Sequence, residues 1–342
     1  MMSHLLSIDS LSRDEIDHLM RVAARLEPVA QRRKVTRVLE GAVLGNLFFE
    51  ASTRTRVSFH TAFSRLGGSV CDTTGFTFSS MAKGESLYDT SRVMSGYCDA
   101  IVMRHPEQGS VAEFAAATHV PVINAGDGPG EHPSQALLDF YTIDKEFTQQ
   151  GKALKDAHVL MTGDLKYGRT VHSLIRLLAR YAPMRITLVA PPGLEMPHHL
   201  IERVSRQGLT VEVRESLAGD FSDVDVVYTT RIQKERFTAE MMEGFNLSRD
   251  FTVDRAFLDS RCNASTIVMH PLPRDSRPEA NDLDVDLNGD PRLAIFRQTD
   301  NGIPVRMAIF ATLLQVEEHI ERDLRDVPWF VPPTVGVDDT RL

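Results

Sequence analysis

The stretch "GAVLGNLFFEASTRTRVSFHTAFSRLGG", residues 41–68, decides the fold class. Its first ten residues form an apolar run that predicts a buried strand. Ser52 is suited to begin a helix, and Gly67-Gly68 is suited to end it. Between them, one apolar stripe at helical spacing consists of Phe59, Ala62, Phe63 and Leu66. The stretch therefore predicts a strand followed directly by a helix.

The alternation of strand and helix patterns continues on both sides of this unit. Residues 9–27 have apolar side chains at helical spacing, and Ser12 with Glu15 forms a capping-box pattern at their start. Further strand patterns lie at 69–73, 100–104 and 120–125, and further helix patterns at 86–97, 110–118 and 133–147. Residues 157–271 repeat the alternation. Short connections between alternating strands and helices are typical of parallel sheets covered by helices on both faces.

The length of the chain favours two domains. Its 342 residues exceed what one hydrophobic core usually supports. The polar stretch "TQQGKALKD", residues 148–156, separates two halves of similar strand and helix content. We therefore expect an α/β protein with domains at 1–147 and 148–302, each a parallel sheet flanked by helices.

The end of the chain predicts one more helix and an irregular tail. Pro304 is suited to the first turn of a helix, which we place at residues 303–322. One side of that helix carries Met307, Phe310, Leu313 and Leu314. We expect it to pack back on the first domain. Residues 323–342 contain too many prolines for a helix and are assigned to a surface tail.

Composition and charge exclude several classes of protein. The chain has 38 lysines and arginines against 47 aspartates and glutamates, a formal net charge of −9. No extended basic patch opposes this field, so we expect no nucleic-acid partner. The N-terminus lacks the uninterrupted apolar core of a signal peptide, and no apolar run approaches about 20 residues. We expect a cytoplasmic protein without a membrane partner.

The cysteines and glycine-rich loops indicate neither a metal nor a cofactor. Cys71, Cys98 and Cys262 lie far apart, without metal-ligand spacing, and are interpreted as buried small hydrophobic residues. The stretch "MTGDLKYGRTVHS" lacks both the Walker pattern and the G-x-G-x-x-G fingerprint of dinucleotide-binding proteins.

The junction after the first strand of residues 41–68 is a candidate anion site. If Ser52 caps the helix, the backbone amides of Thr53, Arg54 and Thr55 point outward at the positive end of the helix dipole. The Arg54 guanidinium and nearby hydroxyls would complete a cradle for a phosphate. The alternative is a simple helix start with its arginines in solvent.

Other polar clusters also follow predicted strands, where open parallel sheets bind their ligands. In the first half they consist of Arg104, His105, His132, Ser134 and Gln135. In the second half they consist of Lys166, Arg169, His172, Arg231, Gln233, Lys234, Arg236, His270 and Arg274. Each alone could be surface charge. Together, the second group suits a small substrate with more than one carboxylate.

Six stretches, in order, resemble the aspartate carbamoyltransferase family. They are "FFEASTRTRVSF", "MRHPEQG", "GEHPSQALLDFYTI", "GDLKYGRTVHSL", "TRIQKERF" and "MHPLPR", between about residues 45 and 315. The first and third are shared with ornithine carbamoyltransferases. The last two favour aspartate, because the ornithine enzymes have a different loop and a cysteine where this chain has Pro271.

The resemblance implies an enzyme without a cofactor. It would transfer the carbamoyl group of carbamoyl phosphate to the α-amino group of L-aspartate, a step of pyrimidine biosynthesis. Residues 1–147 would bind carbamoyl phosphate and 148–302 would bind aspartate. Two alternatives stay open: a transcarbamylase for another amino acid such as ornithine, and a non-catalytic protein that binds a metabolite.

The resemblance also assigns the site residue by residue. The carbamoyl phosphate contacts would be Ser52, Thr53, Arg54, Thr55, Arg104, His132, Gln135, Leu272 and Pro273. Arg54, Thr55, Arg104 and His132 would act in catalysis. The aspartate contacts would be Lys83, Arg169, Arg231 and Gln233.

The family implies shared active sites. A loop carrying Ser79 and Lys83 would enter the site of a neighbouring subunit, so a homotrimer would be the smallest active unit. Some members bind a regulatory chain, and others assemble alone or with an inactive dihydroorotase-like chain. The sequence leaves that choice open.

Overall fold

The computed structural model describes residues 2–74, 84–234, 237, 251–275, 277 and 281–331. The α-helices of these residues are Arg13–Ala30 (α1), Thr53–Arg65 (α2), Leu87–Ser95 (α3), Ser110–Ala117 (α4), Pro133–Gln150 (α5), Arg169–Leu178 (α6), His198–Arg206 (α7), Arg255–Arg261 (α8), Ile295–Leu313 (α9) and Ile320–Asp323 (α10). The strands are Lys34–Val35 (β1), Val43–Phe48 (β2), Ser69–Thr74 (β3), Ala100–His105 (β4), Val122–Asp127 (β5), His158–Gly163 (β6), Met184–Val189 (β7), Leu209–Arg214 (β8), Val226–Thr230 (β9), Ile267–Met269 (β10) and Arg325–Asp326 (β11).

The described part of Met1–Leu138 and Asp300–Pro332 forms one compact unit. Its four-stranded sheet has the order β3-β2-β4-β5, and all three pairings are parallel. Helix α1 begins with the expected capping box: the Ser12 hydroxyl accepts from the Glu15 amide, and the Glu15 carboxylate accepts from the Ser12 amide. The predicted strand-then-helix unit is confirmed as β2 and α2.

The described part of Asp139–Thr299 forms the second unit. Its five-stranded sheet has the order β10-β9-β6-β7-β8, and all four pairings are parallel. The inner strands β6 and β9 are buried along their whole length, as expected for a sheet with both faces covered. One core cluster joins apolar side chains of β6, β9 and β10 to Phe221, Phe251 and Phe257. The predicted fold class, two parallel α/β sheets with flanking helices, is confirmed.

The C-terminal helix packs on the first unit as expected. The buried Phe310 ring of α9 meets the Phe59 and Phe63 rings of α2 edge-on, with centroids 5.9 Å and 4.9 Å away. The Arg306 guanidinium lies over Phe59, 4.9 Å from its centroid. The apolar stripe predicted on α2 is thus covered by the apolar side of α9.

The predicted bounds of that helix are wrong. It begins at Ile295, ends at Leu313, and contains Pro304 in its interior rather than in its first turn. Gln315, with φ of 56°, stops the helix in the left-handed conformation. The apolar pattern beyond Leu313 is interrupted there, so the chain continues as a 3-10 turn and the short α10. The assigned domain limits, including the tail, stay a prediction.

The cysteines differ from the sequence-based interpretation in one position. Cys71 is exposed on the edge strand β3, whereas Cys98 is buried and Cys262 is partly buried. Burial raises the pKa of Cys98 to about 11 and that of Cys262 to about 12. No helix in the described ranges has the length and apolar character needed to cross a membrane.

Replacing Phe310 with alanine is expected to lower the free energy of unfolding by about 3–5 kcal/mol, because it leaves a cavity between two helices. Urea denaturation measures this change. The matched control is Phe296→Ala on the same helix, where the ring is 38% exposed and its loss should cost far less. Equal losses from the two variants would contradict the packing role of Phe310.

Candidate functional site

In the first unit, three neighbouring strands deliver predicted site residues to one edge of the sheet. β2, β4 and β5 are adjacent and parallel, so they all end at that edge. Ser52 follows β2, Arg104 is the second-last residue of β4, and His132 follows β5. The Phe49 amide donates to the Arg104 carbonyl at 2.9 Å, which ties the ends of β2 and β4 together.

The N-terminus of α2 has the geometry of the expected anion site. Ser52 occupies the N-cap position, but its hydroxyl makes no capping hydrogen bond. The first amides of a helix have no acceptor within the helix, and here the cap residue leaves them available. Thr55 is buried while Thr53 and Arg54 are exposed. The start of α2 can therefore offer amides, hydroxyls and one guanidinium to an anion.

Arg104 is held by contacts on two sides. It is only 9% exposed, and its Nη1 donates to the Ala125 carbonyl at 3.3 Å. Its Nε lies 2.8 Å from the Glu50 carboxylate. The carboxylate compensates a largely buried positive charge. Sequence reasoning assigned Arg104 to the site without identifying its ion pair with Glu50.

Acidic residues fix the loop that carries His132. Asp127 accepts from the Gly109 and Glu131 amides, both at 3.0 Å. Glu131 in turn accepts from the Ser7 hydroxyl at 2.6 Å and the Ile8 amide at 3.0 Å. His132 is therefore buried in a braced loop, and its carbonyl accepts from the Gln135 amide at the start of α5. The signal that sequence reasoning missed is a pair of acids within a glycine-rich loop after a strand.

In the second unit, β6, β9 and β10 are adjacent and also end at one edge. Arg169 opens α6, which follows β6, while Arg231 and Gln233 follow β9. Leu272 and Pro273 follow β10. These five predicted residues therefore lie at one sheet edge, like those of the first unit.

Asp164 organises this second edge, although sequence reasoning did not single it out. The side chain is fully buried. Its carboxylate accepts from the Tyr167 amide at 2.8 Å and the Gln233 amide at 3.2 Å. Gly163, with φ of 102°, permits the close approach of β9, because a Cβ there would lie 2.1 Å from the Thr230 carbonyl oxygen. One carboxylate therefore holds the two loops that carry the predicted aspartate contacts.

Two polar residues of the second half, His172 and Arg274, contact other partners. His172 lies 2.7 Å from the Leu165 carbonyl through Nε2, and burial lowers its pKa. The Arg274 guanidinium donates to the Asp284 carbonyl and to Asn288. These two side chains brace loops of the unit. Ser79, Lys83 and Arg236 lie outside the described residues. In the part of the chain that the structure describes, no group of three acidic, histidine or cysteine side chains could hold a metal ion.

Comparison with known proteins shows which family the two halves of the chain resemble. Residues 3–145 match the family model for the aspartate/ornithine carbamoyltransferase carbamoyl-P binding domain, and residues 155–313 match the model for the Asp/Orn binding domain. The chain belongs to the aspartate/ornithine carbamoyltransferase family. The domain that each model names contains the corresponding predicted contacts, with three exceptions: Leu272 and Pro273 lie in the second match, and Lys83 lies in the first.

Individual members of the aspartate/ornithine carbamoyltransferase family are similar over nearly the full length. The aspartate carbamoyltransferase catalytic subunit of Saccharophagus degradans is 55% identical over 328 residues, covering 96% of this chain and 97% of that protein. The solved catalytic subunit of M. jannaschii aspartate transcarbamoylase is 40% identical, with a TM-score of 0.82 and coverage of 93% and 99%. Aspartate transcarbamoylase from Trypanosoma cruzi, solved with carbamoyl phosphate and aspartate, is 39% identical, with a TM-score of 0.82 and coverage of 90% and 95%.

Replacing Asp164 with asparagine is expected to loosen the second edge. The two backbone amides donate to different oxygens of the carboxylate. Asparagine replaces one of these oxygens by an NH₂ donor, so it cannot accept from both amides. We expect the amide of Tyr167 or Gln233 to exchange its hydrogen with solvent about tenfold faster, as measured by deuterium exchange. Asp225→Asn is the control: Asp225 accepts from the His158 amide at 3.0 Å, so its loss should affect that amide and spare the other two. Unchanged exchange at both site amides in Asp164→Asn would refute the bracing role.

Proposed function

We propose that the chain transfers the carbamoyl group of carbamoyl phosphate to the α-amino group of L-aspartate. The products are N-carbamoyl-L-aspartate and phosphate, as in pyrimidine biosynthesis. The observation that carries the proposal is the 55% identity to an aspartate carbamoyltransferase catalytic subunit over 96% of the chain. One sheet edge in each unit supports the proposal. The edge of the first unit has the features of a phosphate cradle, and the edge of the second unit carries arginines and a glutamine that suit a dicarboxylate.

The phosphate of the first substrate rests at the N-terminus of α2. The Ser52, Thr53, Arg54 and Thr55 groups donate to its oxygens, and the helix dipole favours its negative charge. Arg104, at the end of the adjacent β4, contacts both the phosphate and the carbonyl oxygen of the substrate. The carbamoyl group is held by His132 and Gln135, and the Leu272 and Pro273 carbonyls accept from its amide.

The second substrate binds through its carboxylates. Arg169, Arg231 and Gln233 come from the edge that Asp164 braces, and Lys83 adds a further positive charge. Arginine suits a carboxylate because its donors are fixed in a planar fork. Two carboxylates and two arginines align the α-amino group with the carbamoyl carbon, and this alignment lowers the entropic part of the barrier.

Carbamoyl transfer itself needs no cofactor. The deprotonated α-amino group attacks the carbamoyl carbon, and Thr55, Arg104 and His132 stabilise the oxyanion that develops. Collapse of the intermediate breaks the bond to the phosphate oxygen, and the leaving phosphate takes the proton released by the amine. Losing one oxyanion donor typically costs about 3 kcal/mol of transition-state stabilisation, so these three groups should dominate the rate.

The active unit in this proposal is a homotrimer in the cytoplasm. Ser79 and Lys83 of one subunit complete the site of its neighbour, which makes the isolated subunit inactive. A regulatory chain or an inactive dihydroorotase-like chain would be an additional partner, and activity of the purified homotrimer alone would show that neither is needed.

The acceptor assay tests the reaction directly. Purified protein is incubated with carbamoyl phosphate and either aspartate or ornithine, and phosphate release is measured. We expect turnover with aspartate only. Turnover with ornithine only would overturn the proposal, and absence of turnover with any amino acid would favour a metabolite-binding protein.

Arg54 and Arg56 give a matched test of the cradle. Arg54→Ala is expected to lower kcat by about 100- to 1000-fold, because the phosphate and the transition state lose a charged donor. Arg56, two positions on, lies 3.6 Å from Asp72 and faces away from the helix start, so Arg56→Ala should stay within about threefold of the parent rate. Steady-state kinetics with intact folds, checked by circular dichroism, distinguish the two. Similar rates for both variants would remove Arg54 from the site.

A further inference from the structure

His270 lies in the loop that follows β10, two residues before the predicted carbamoyl contact Leu272. Its side chain is only 1% exposed. The ring nitrogen Nδ1 accepts a hydrogen bond from the Leu272 amide at 2.8 Å. Leu272 has φ of 55°, a left-handed conformation that costs a residue with a side chain about 1–2 kcal/mol. The imidazole therefore helps to hold a backbone conformation that leucine does not favour.

The contact defines how His270 carries its proton. A nitrogen that accepts from an amide has no proton of its own, so a neutral ring must carry its proton on Nε2. Nε2 faces the Asp282 carboxylate, which is 2% exposed, across 3.5 Å. A buried carboxylate on that side favours the tautomer with the proton on Nε2, and it leaves Nδ1 available as the acceptor.

A chain of buried polar groups fixes the backbone of His270 from the other side. Its amide donates to Gln298 Oε1 at 2.9 Å, and Gln298 Nε2 donates to Asp139 at 2.7 Å. The other oxygen of Asp139 accepts from the Tyr228 hydroxyl at 2.7 Å. Burial and the charge of Asp139 raise the pKa of Tyr228, which keeps the phenol protonated as a donor. The imidazole is thus attached to the core of the second unit rather than to a loose loop.

We propose that His270 is a positioning residue for carbamoyl phosphate, acting through the Leu272 amide to aim the Leu272 and Pro273 carbonyls at the carbamoyl NH₂ group. The inference rests on the proposed function, which assigns those carbonyls to that group. A carbonyl that moves by about 1 Å loses both the length and the angle of a good hydrogen bond. His270 touches neither substrate nor reacting atoms, so its effect passes entirely through the loop.

A positioning role and a merely structural role predict different effects on the two parts of carbamoyl phosphate, the carbamoyl group and the phosphate. The phosphate binds at the start of α2 in the first unit, whereas His270 and its partners belong to the second unit. Loss of the positioning contact should therefore weaken recognition of the carbamoyl group and spare recognition of phosphate. Inorganic phosphate is the probe for the second quantity, through its inhibition constant against carbamoyl phosphate.

Two substitutions of similar polarity make the test. Asparagine places a carbonyl oxygen close to the position of Nδ1 and can accept from the amide two residues on, whereas glutamine carries its amide one carbon further out. We expect His270→Gln to raise the KM for carbamoyl phosphate at least tenfold with the inhibition constant of phosphate unchanged within about twofold. His270→Asn should restore the KM to within about threefold of the parent protein. His270→Leu, which has no acceptor, should behave like His270→Gln if it folds.

The parent enzyme is assayed first, which keeps the two proposals apart. An inactive parent overturns the proposed function. An active parent with a normal KM in His270→Gln, or with equal KM values in His270→Gln and His270→Asn, overturns the positioning role alone. A parallel rise of the KM and of the inhibition constant for phosphate also overturns it, because that result indicates general damage to the fold.

Discussion

All pairings in the two large sheets are parallel, and this single constraint places the chemistry of the protein. A parallel sheet has one edge at which every strand ends, and the loops that leave this edge are neighbours in space however far apart they lie in sequence. Residues 52, 104 and 132 come together for this reason in one unit, and residues 169, 231 and 272 do so in the other. Parallel strands need long crossover connections, and most of the connections here contain a helix, so each edge also carries helix N-termini that suit anions.

Loops at such an edge are irregular, and their backbone amides need acceptors that a sheet cannot supply. The protein uses buried or nearly buried carboxylates for this purpose. Asp127 accepts from amides of two different loops in the first unit, and Asp164 does the same in the second. The His270 ring plays a similar part, because its Nδ1 accepts from the Leu272 amide. Each acceptor holds the backbone close to a predicted substrate contact, so the conformation of these loops depends on side chains outside the predicted contacts.

This layering explains how far sequence reasoning could reach. Local periodicity or one apolar stripe is enough to predict three features: the strand patterns, the Ser12 capping box and the packing of the last helix on the first unit. The carboxylate of Asp164 could not be assigned in this way, because its role depends on the Gln233 amide, 69 positions further on. The start of the last helix was misplaced for a related reason. Pro304 resembles a first-turn proline, and the preceding residues 295–303 lack a clear apolar period of their own.

The charge balance at the first edge adds a last constraint. A guanidinium as buried as that of Arg104, with its side chain 11% exposed, would be costly without a counter-charge, and Glu50 supplies one at 2.8 Å. That carboxylate also stands beside any phosphate that Arg104 contacts, and two negative charges at such a distance repel each other. In the proposed complex, the phosphate and Glu50 would both contact that guanidinium, while the amides and hydroxyls at the start of α2 have no such competitor from their N-cap side chain. Under the proposed function, Glu50 would therefore weaken the contact between Arg104 and the phosphate, while in the ligand-free protein it balances the charge of Arg104.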